Sequence, residues 1–482
     1  MAERTETSRS LPGKETELAQ GSLGVSHIVF MVMAAVAPAG GAVAILPLAI
    51  GLGVGVGTPG MYVFVMAIML LFAVGFTKMV PHVHNAGAFF AYIVRGLGRP
   101  LGLAGAYIAT TAYLALSAAT AGAMGFFAAG SANTFFGIDL PWWVYTLVGL
   151  VGVFALGYRK ITLAAKVLGV ALVLELLVIL VLDIAIVADR GLGSLPMSSF
   201  SPGEIFVPGV VGVGMIFAFS CYQGFEGTAI YAEEAKDPER TVPRATYLSM
   251  GFIGVFFVLT SWAFLATSDD ASGAAAENPG GFAFALSDQF VGSAWTKVLE
   301  VLIITSIFAG MLAFHNAAAR YMFALGRDGF LPRQMQTIHP QHQSPVLAGA
   351  TAFVIETVLV LGFVFAGLDP LTNLSSSLTG FGAVGLMVLI TTTSLAVLVF
   401  FARQGIYGWA QTVAPGLSLI GFGTITYFAL SNFPAITGTD SVIINRMPYL
   451  HVLTVVIAIA VALRARSERP ETYANMGRTL VD

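Results

Sequence analysis

Glu226 is the residue in this chain that packing explains least well. It closes Ser220-Cys221-Tyr222-Gln223-Gly224-Phe225-Glu226, a polar stretch inside a long apolar run that begins with Val207 and ends in the charged segment up to Arg244. A carboxylate in hydrocarbon costs about 2.5–3.5 kcal/mol on insertion scales, so it needs a partner, water or a task. Gly224 and the small polar neighbours predict a helix that opens here and frees backbone groups. As a coupling group, Glu226 would be desolvated and exchange a proton; as a structural group, it would stay ionised and accept bonds from amides freed in another broken helix. Glu175, inside a second apolar run, poses the same choice. Its structural alternative is a polar partner, such as a serine or tyrosine, on a neighbouring helix.

A matching interruption lies at Ala37-Pro38-Ala39-Gly40-Gly41-Ala42. Amides of Gly40, Gly41 and Ala42 at the start of a half-helix would suit a carboxylate, because the dipole and the free N–H groups act together. Carbonyls near Phe219, Ser220, Cys221 and Tyr222 would end the other half-helix and suit an ammonium group. An α-amino acid presents both charges at short range, so Ala37 to Ala42 and Phe219 to Gly224 form a candidate receptor. The bland alternative is two packing kinks whose backbone groups find side chains or water. Tyr107, Tyr113, Phe225 and His315 are candidate cavity walls. His315-Asn316 is expected to make a helix–helix hydrogen bond, since the ligands that would make it a metal site are missing. Glu233, Glu234, Lys236, Asp237, Arg240 and Arg244 read as an intracellular gate or as an ordinary solvated loop.

Enzyme signals fail. Gly55-x-Gly57-x-x-Gly60 matches a dinucleotide pattern, but no strand precedes it. There is no Gly-Lys-Ser/Thr phosphate loop, and His82-x-His84 lacks further ligands at metal spacing. Neither a cofactor nor a metal is expected.

The elements that position these residues follow from composition. Of 482 residues, 57% are hydrophobic and 10% charged, where a soluble domain carries about 25% charged residues. The chain therefore reads as a polytopic membrane protein, and its net charge of −3 gives no reason to expect nucleic acid. Cys221 is the single cysteine, so no intrachain disulfide can form. At about 20 apolar residues per crossing, helices are expected near 27–52, 59–80, 100–130, 141–158, 161–188, 205–234, 244–267, 294–325, 345–366, 373–402, 411–431 and 447–464. Segments assigned inside hold 20 of the 23 lysines and arginines, leaving Arg190, Lys297 and Arg446 outside. Both termini are then cytoplasmic, and the first apolar run is retained rather than cleaved. The two interrupted helices are five crossings apart and run in opposite directions, the mark of an inverted-repeat transporter with a midplane site.

Three stretches carry a family resemblance. One runs from the first interruption through PLAIGLGVGVGTPG (Pro47 to Gly60) to NAGAFFAYIVRGLGRPLG (Asn85 to Gly102). The others are GFEGTAIYAEEAKDPERTVPRA (Gly224 to Ala245) and HNAAARYMFALGRDGFLP (His315 to Pro332). On these the chain resembles the amino acid–polyamine–organocation (APC) superfamily of permeases. The resemblance implies an all-α LeuT-like fold of five plus five inverted helices with two peripheral ones. It divides the chain into a cytoplasmic tail (1–24), a first repeat (25–190), a second repeat (203–403), helices eleven and twelve (408–466) and a C-terminal tail (467–482). It also implies that helices one, two, six and seven rock against a scaffold that includes three, four, eight and nine. Ser220 stands where many members place an aromatic lid, leaving Tyr222 and Phe225 as substitutes. Glu175 stands where proton-coupled members can carry lysine.

The expected function is secondary active transport of a small amino acid across the plasma membrane by alternating access, coupled to protons. Sodium coupling is the close rival, with Thr305 and Ser306 as its candidate hydroxyls. A polyamine or amine transporter and an amino acid exchanger of the same fold are alternatives, and a non-transporting nutrient sensor is the alternative of a different class. The partners expected are substrate, protons and the lipid bilayer.

Overall fold

Long apolar runs in a bilayer have to satisfy every backbone group internally, and helices do this residue by residue. The computed structural model describes residues 23–83, 89–158, 162–230, 235–339, 341 and 344–476, with the side chains of 162–169, 229 and 230 outside that description. Most of the N-terminal tail, the last residues of the C-terminal tail, His84, Arg159, Lys160, Glu233 and Glu234 thus lie outside the described residues, as does the side chain of Lys166.

The first crossing is α1 (Val25–Val36), α2 (Pro38–Gly40), a π-helical turn at Gly41–Ile45 and α3 (Leu46–Gly51). Then come α4 (Thr58–Met79), α5 (Phe89–Leu97), α6 (Arg99–Phe136), α7 (Trp142–Tyr158), α8 (Thr162–Arg190) and the short α9 (Pro202–Ile205). The sixth crossing holds α10 (Val211–Ser220) and α11 (Gly227–Ile230), followed by α12 (Pro238–Leu265). Two short helices, α13 (Ala271–Glu277) and α14 (Phe282–Phe290), fill the next connection. The chain continues with α15 (Ser293–Arg327), α16 (Val346–Phe365), α17 (Ser376–Arg403), α18 (Ala414–Ser431), α19 (Phe433–Ile436), α20 (Val442–Asn445), α21 (Leu450–Glu468) and α22 (Pro470–Asn475). Among the described residues ten helices are long and apolar enough to cross a membrane, and α7 and α10 are shorter apolar ones. This is the all-α polytopic architecture expected from the sequence.

Three differences have simple causes. Helix α12 begins at Pro238 rather than near 244, because proline at the first helical position loses no intrahelical bond. α5 is a separate helix in a stretch expected to be loop, with Phe89, Phe90, Tyr92 and Ile93 buried on one side. α13 and α14 are too short to show against a 20-residue ruler.

Packing separates two groups of helices. α4 lies along α12, while α6 lies along α15 and α7, and α16 packs on both α7 and α15. α1 touches α12 on one side and α15 on the other, so the first crossing sits between the groups. Small residues allow the close approach: a Cβ on Gly125 would run into Thr146 and the Trp142 carbonyl. α8 shows how the solvent sorts a helix: Val170, Val173, Leu174, Leu177 and Ile184 face outward, whereas Leu172, Glu175, Ile179, Leu182, Asp183 and Ile186 face inward.

Candidate functional site

The first crossing breaks at Ala37, whose φ of 52° and ψ of 68° make it the one non-glycine residue with positive φ among the described residues. A left-handed residue carrying a Cβ costs about 1–2 kcal/mol and persists only where its surroundings hold it. Pro38 then starts a new helix and brings no amide of its own. The Gly40 amide donates to Ser306 Oγ at 3.1 Å, across to α15, while the Gly41 amide turns back to the Ala37 carbonyl at 2.9 Å. The expectation of a free amide at Gly41 is therefore corrected, because helical geometry resumes within one turn of Ala37. Gly40 is the donor that leaves its own helix.

The second break spans Cys221 to Glu226, a run of turns between α10 and α11. Gly224 has φ +107°, a conformation that L side chains rarely adopt, and a Cβ there would lie 3.0 Å from the Ala35 Cβ and 3.3 Å from the Val36 nitrogen. The breaks thus face each other, with Gly224 seated on the end of α1. On the other side a Cβ at Gly41 would lie 2.6 Å from Phe257 and 3.7 Å from Cys221 Sγ. Phe257 stacks on Tyr62, whose hydroxyl is 3.2 Å from Cys221 Sγ. Phe257 is thus an aromatic ring set against the first break, with Tyr62 stacked behind it, and neither was singled out from the sequence.

Side chains of the second break mostly turn away from the first. Ser220 Oγ donates back to the Ile216 carbonyl at 2.8 Å. Phe219 packs on Phe422, and Phe225 packs edge-on against Phe72 and Phe89. The Tyr222 hydroxyl is buried, with no hydrogen-bond partner among the described residues, close to Gly254. Carbonyls of Phe219, Ser220 and Tyr222 close the turns by accepting from Tyr222, Gln223 and Phe225. Phe225, expected as a substitute lid, packs instead against phenylalanines of two helices, Phe72 on α4 and Phe89 on α5.

Glu226 is 2% exposed and both of its oxygens accept: the Tyr113 hydroxyl donates to Oε1 at 2.5 Å and the Gly224 amide to Oε2 at 3.1 Å. Its donors are thus a tyrosine on α6 and its own turn, not the amides of the first crossing. Tyr113 stacks on Tyr321 at 5.7 Å, and the Tyr321 hydroxyl is buried with no hydrogen-bond partner among the described residues. Glu175 lies 3.2 Å from Thr305 Oγ1, and the Ser306 hydroxyl faces the same carboxylate. Ser306 consequently stands between the Gly40 amide and Glu175.

The other expected cavity walls lie elsewhere. Tyr107 donates to the Phe330 carbonyl at 2.9 Å, at the far end of α6. His315 pairs through Nδ1 with Glu356 Oε2 at 2.9 Å, joining α15 to α16 with exposures of 2% and 0%. The expected helix–helix bond is there, and its carboxylate partner was missed. Asp183 was missed too: it accepts from Thr260 Oγ1 at 2.7 Å, linking α8 to α12. The signal for both was an acid inside an apolar run, the same signal that picked out Glu175. Of the charged cluster after the second break, Asp237 and Arg240 form an exposed pair at 3.7 Å. Among the described residues no group of three or more potential metal ligands occurs.

Two broken crossings meet inside a bundle of apolar helices, with buried carboxylates beside them, and the many apolar helices mark an integral multi-pass membrane protein. Residues 23–459 match the family model for amino acid permeases, and the chain belongs to that family. It is similar to the low-affinity putrescine importer PlaP of Escherichia coli strain K12, with 24% identity over 306 residues covering 61% of this chain and 66% of that protein. It is also similar to the branched-chain amino acid permease BcaP of Bacillus subtilis strain 168, with 25% identity over 368 residues, 72% of this chain and 74% of the relative. Similarity to the chloroplastic cationic amino acid transporter 7 of Arabidopsis thaliana runs at 28% identity over 334 residues, 64% of this chain and 54% of the relative. The chain thus spans just under two thirds of the putrescine importer and about half of the plant transporter.

Proposed function

We propose that this protein is a proton-coupled importer of a small amino acid, working by alternating access in the plasma membrane with both termini in the cytoplasm. In this reading 25–190 and 203–403 are the two inverted repeats, and substrate binds where the breaks at Ala37 to Ala42 and Phe219 to Gly224 face each other. The observation that carries the proposal is that the Gly40 N–H donates to Ser306 Oγ while the neighbouring Thr305 donates to Glu175, so one turn of α15 joins the first break to that carboxylate. A substrate carboxylate at the first break would compete with Ser306 for the Gly40 amide and leave the serine hydroxyl to Glu175. It would also place a second negative charge near Glu175, so that proton and substrate favour each other's binding. Glu226, with both oxygens already engaged, serves in this reading to hold the second break against α6.

In proteoliposomes without sodium, an inward proton gradient should drive accumulation of the transported amino acid. Uptake that follows sodium alone overturns the proton reading and assigns Thr305 and Ser306 to a sodium site.

A second reading, an amine substrate, is favoured by the buried carboxylates Glu175 and Glu226 beside the breaks and by the similarity to a putrescine importer. Competition in one uptake assay separates the two: recognition through Gly40 requires a carboxylate, so diamines should compete poorly with amino acids.

A further inference from the structure

One basic cluster plays no part in the transport site. The spans Gly55–His82 and Pro370–Arg403 end on residues that line a common hollow of about 460 Å³, formed by His82, Arg95, Phe400, Arg403 and Gln404. The hollow thus sits at the ends of two apolar spans. Its basic groups come from three separate elements: the turn after α4, the last turn of α5 and the end of α17. α5 is seated directly on α17, since a Cβ at Gly96 would collide with the Ala396 carbonyl. Arg403 donates through Nη1 to the Gly96 carbonyl at 3.1 Å, which holds its guanidinium over the hollow with further N–H groups to spare. The His82 ring rests on Phe400 and Phe401, giving the hollow an apolar wall.

Among the described residues, no acidic side chain lines the hollow. The sequence has no Asp or Glu from 23 to 138, and none from 370 to 439, and every lining residue falls in those two stretches. Among the described residues no ion pair involves His82, Arg95 or Arg403. Ordinary basic residues at a membrane surface stand singly and solvated; here two guanidinium groups and an imidazole converge on one concavity beside aromatic rings. Guanidinium groups recognise phosphate oxygens in paired, planar fashion, and basic pockets between helices on the cytoplasmic side are suited to anionic lipid head groups.

We infer that this hollow binds a phosphate-bearing anion, the head group of an anionic phospholipid in the leaflet that the Lys/Arg distribution places on the cytoplasmic side. The phosphate lies between Arg95 and Arg403, and the glycerol end of the lipid rests on Phe400. A lipid held there ties α5 to the ends of α4 and α17.

The test uses the purified full-length chain in neutral detergent, with phosphatidylglycerol, phosphatidylcholine or inorganic phosphate added, read by thermal unfolding and by native mass spectrometry of retained lipid. Phosphatidylglycerol should stabilise the protein and be retained, with phosphatidylcholine much weaker. Arg95→Gln with Arg403→Gln should weaken phosphatidylglycerol binding by about an order of magnitude or more. Arg464→Gln with Arg466→Gln removes the same charge from the exposed end of α21 and should leave it unchanged. Arg95→Gln alone spares the Arg403–Gly96 bond and serves if the double variant misfolds. Equal losses in the two double variants, or a wild-type protein indifferent to the lipid, overturn the site. Stabilisation by inorganic phosphate equal to that by phosphatidylglycerol overturns the lipid as occupant.

Discussion

Removing the Tyr113 hydroxyl tests what Glu226 does. In Tyr113→Phe the ring keeps its stacking on Tyr321 and Phe314, but Glu226 Oε1 loses its donor at a position 2% exposed. A hydrogen bond to a charged group contributes about 1.5–3 kcal/mol, and the orphaned carboxylate oxygen bears that loss unless Tyr321 swings in. In equilibrium terms this is about 10- to 150-fold against the conformation in which the second break is held to α6. Glu226→Gln keeps an oxygen that accepts from Tyr113 while removing the charge, so a purely structural Glu226 predicts a milder loss in that variant. The assay is a double-mutant cycle over Tyr113→Phe, Glu226→Ala and the pair, with Glu226→Gln measured beside it, read by thermal unfolding and by initial uptake in proteoliposomes. A coupling energy of about 1–3 kcal/mol is expected. Additive effects within about 0.5 kcal/mol would refute the claim that Tyr113 and Glu226 act as one unit. Loss of proton-driven uptake in Glu226→Gln with stability intact would return the coupling role to Glu226.

Other outcomes follow from the same geometry. Gly224→Ala places a Cβ against Ala35 and Val36 in a backbone conformation unsuited to it, and should cost about 1–3 kcal/mol together with most of the uptake. Ser306→Ala removes the link between Gly40 and Glu175; uptake should persist down a substrate gradient yet respond several-fold less to an imposed pH step, and an unchanged pH response would remove Ser306 from coupling. Glu356→Ala leaves the buried His315 Nδ1 without its partner and should destabilise by about 1–3 kcal/mol in thermal or denaturant unfolding, whereas replacing both partners by leucine should recover most of that loss.

Much of the fold was legible because a membrane helix answers to local rules. Apolar length fixes the crossings, and proline with glycine at Pro38 to Gly41 and Gly224 marks where a helix can open. The candidate site was legible only in part. Glu226 and Glu175 were visible as costly acids, but Glu226 meets a hydroxyl 113 residues away, Glu175 one 130 residues away, and the Gly40 amide one 266 residues away. Such partners depend on how helices rotate about their axes as they pack, which no local pattern encodes. The same lack hid Glu356 behind His315 and let Phe225 pass as a lid when it fills a phenylalanine cluster. Sequence by itself determined that this chain crosses the membrane many times and opens two of its helices. Only the tertiary structure decided that these openings touch, which amide leaves its helix, and which carboxylate stands behind the serine that receives it.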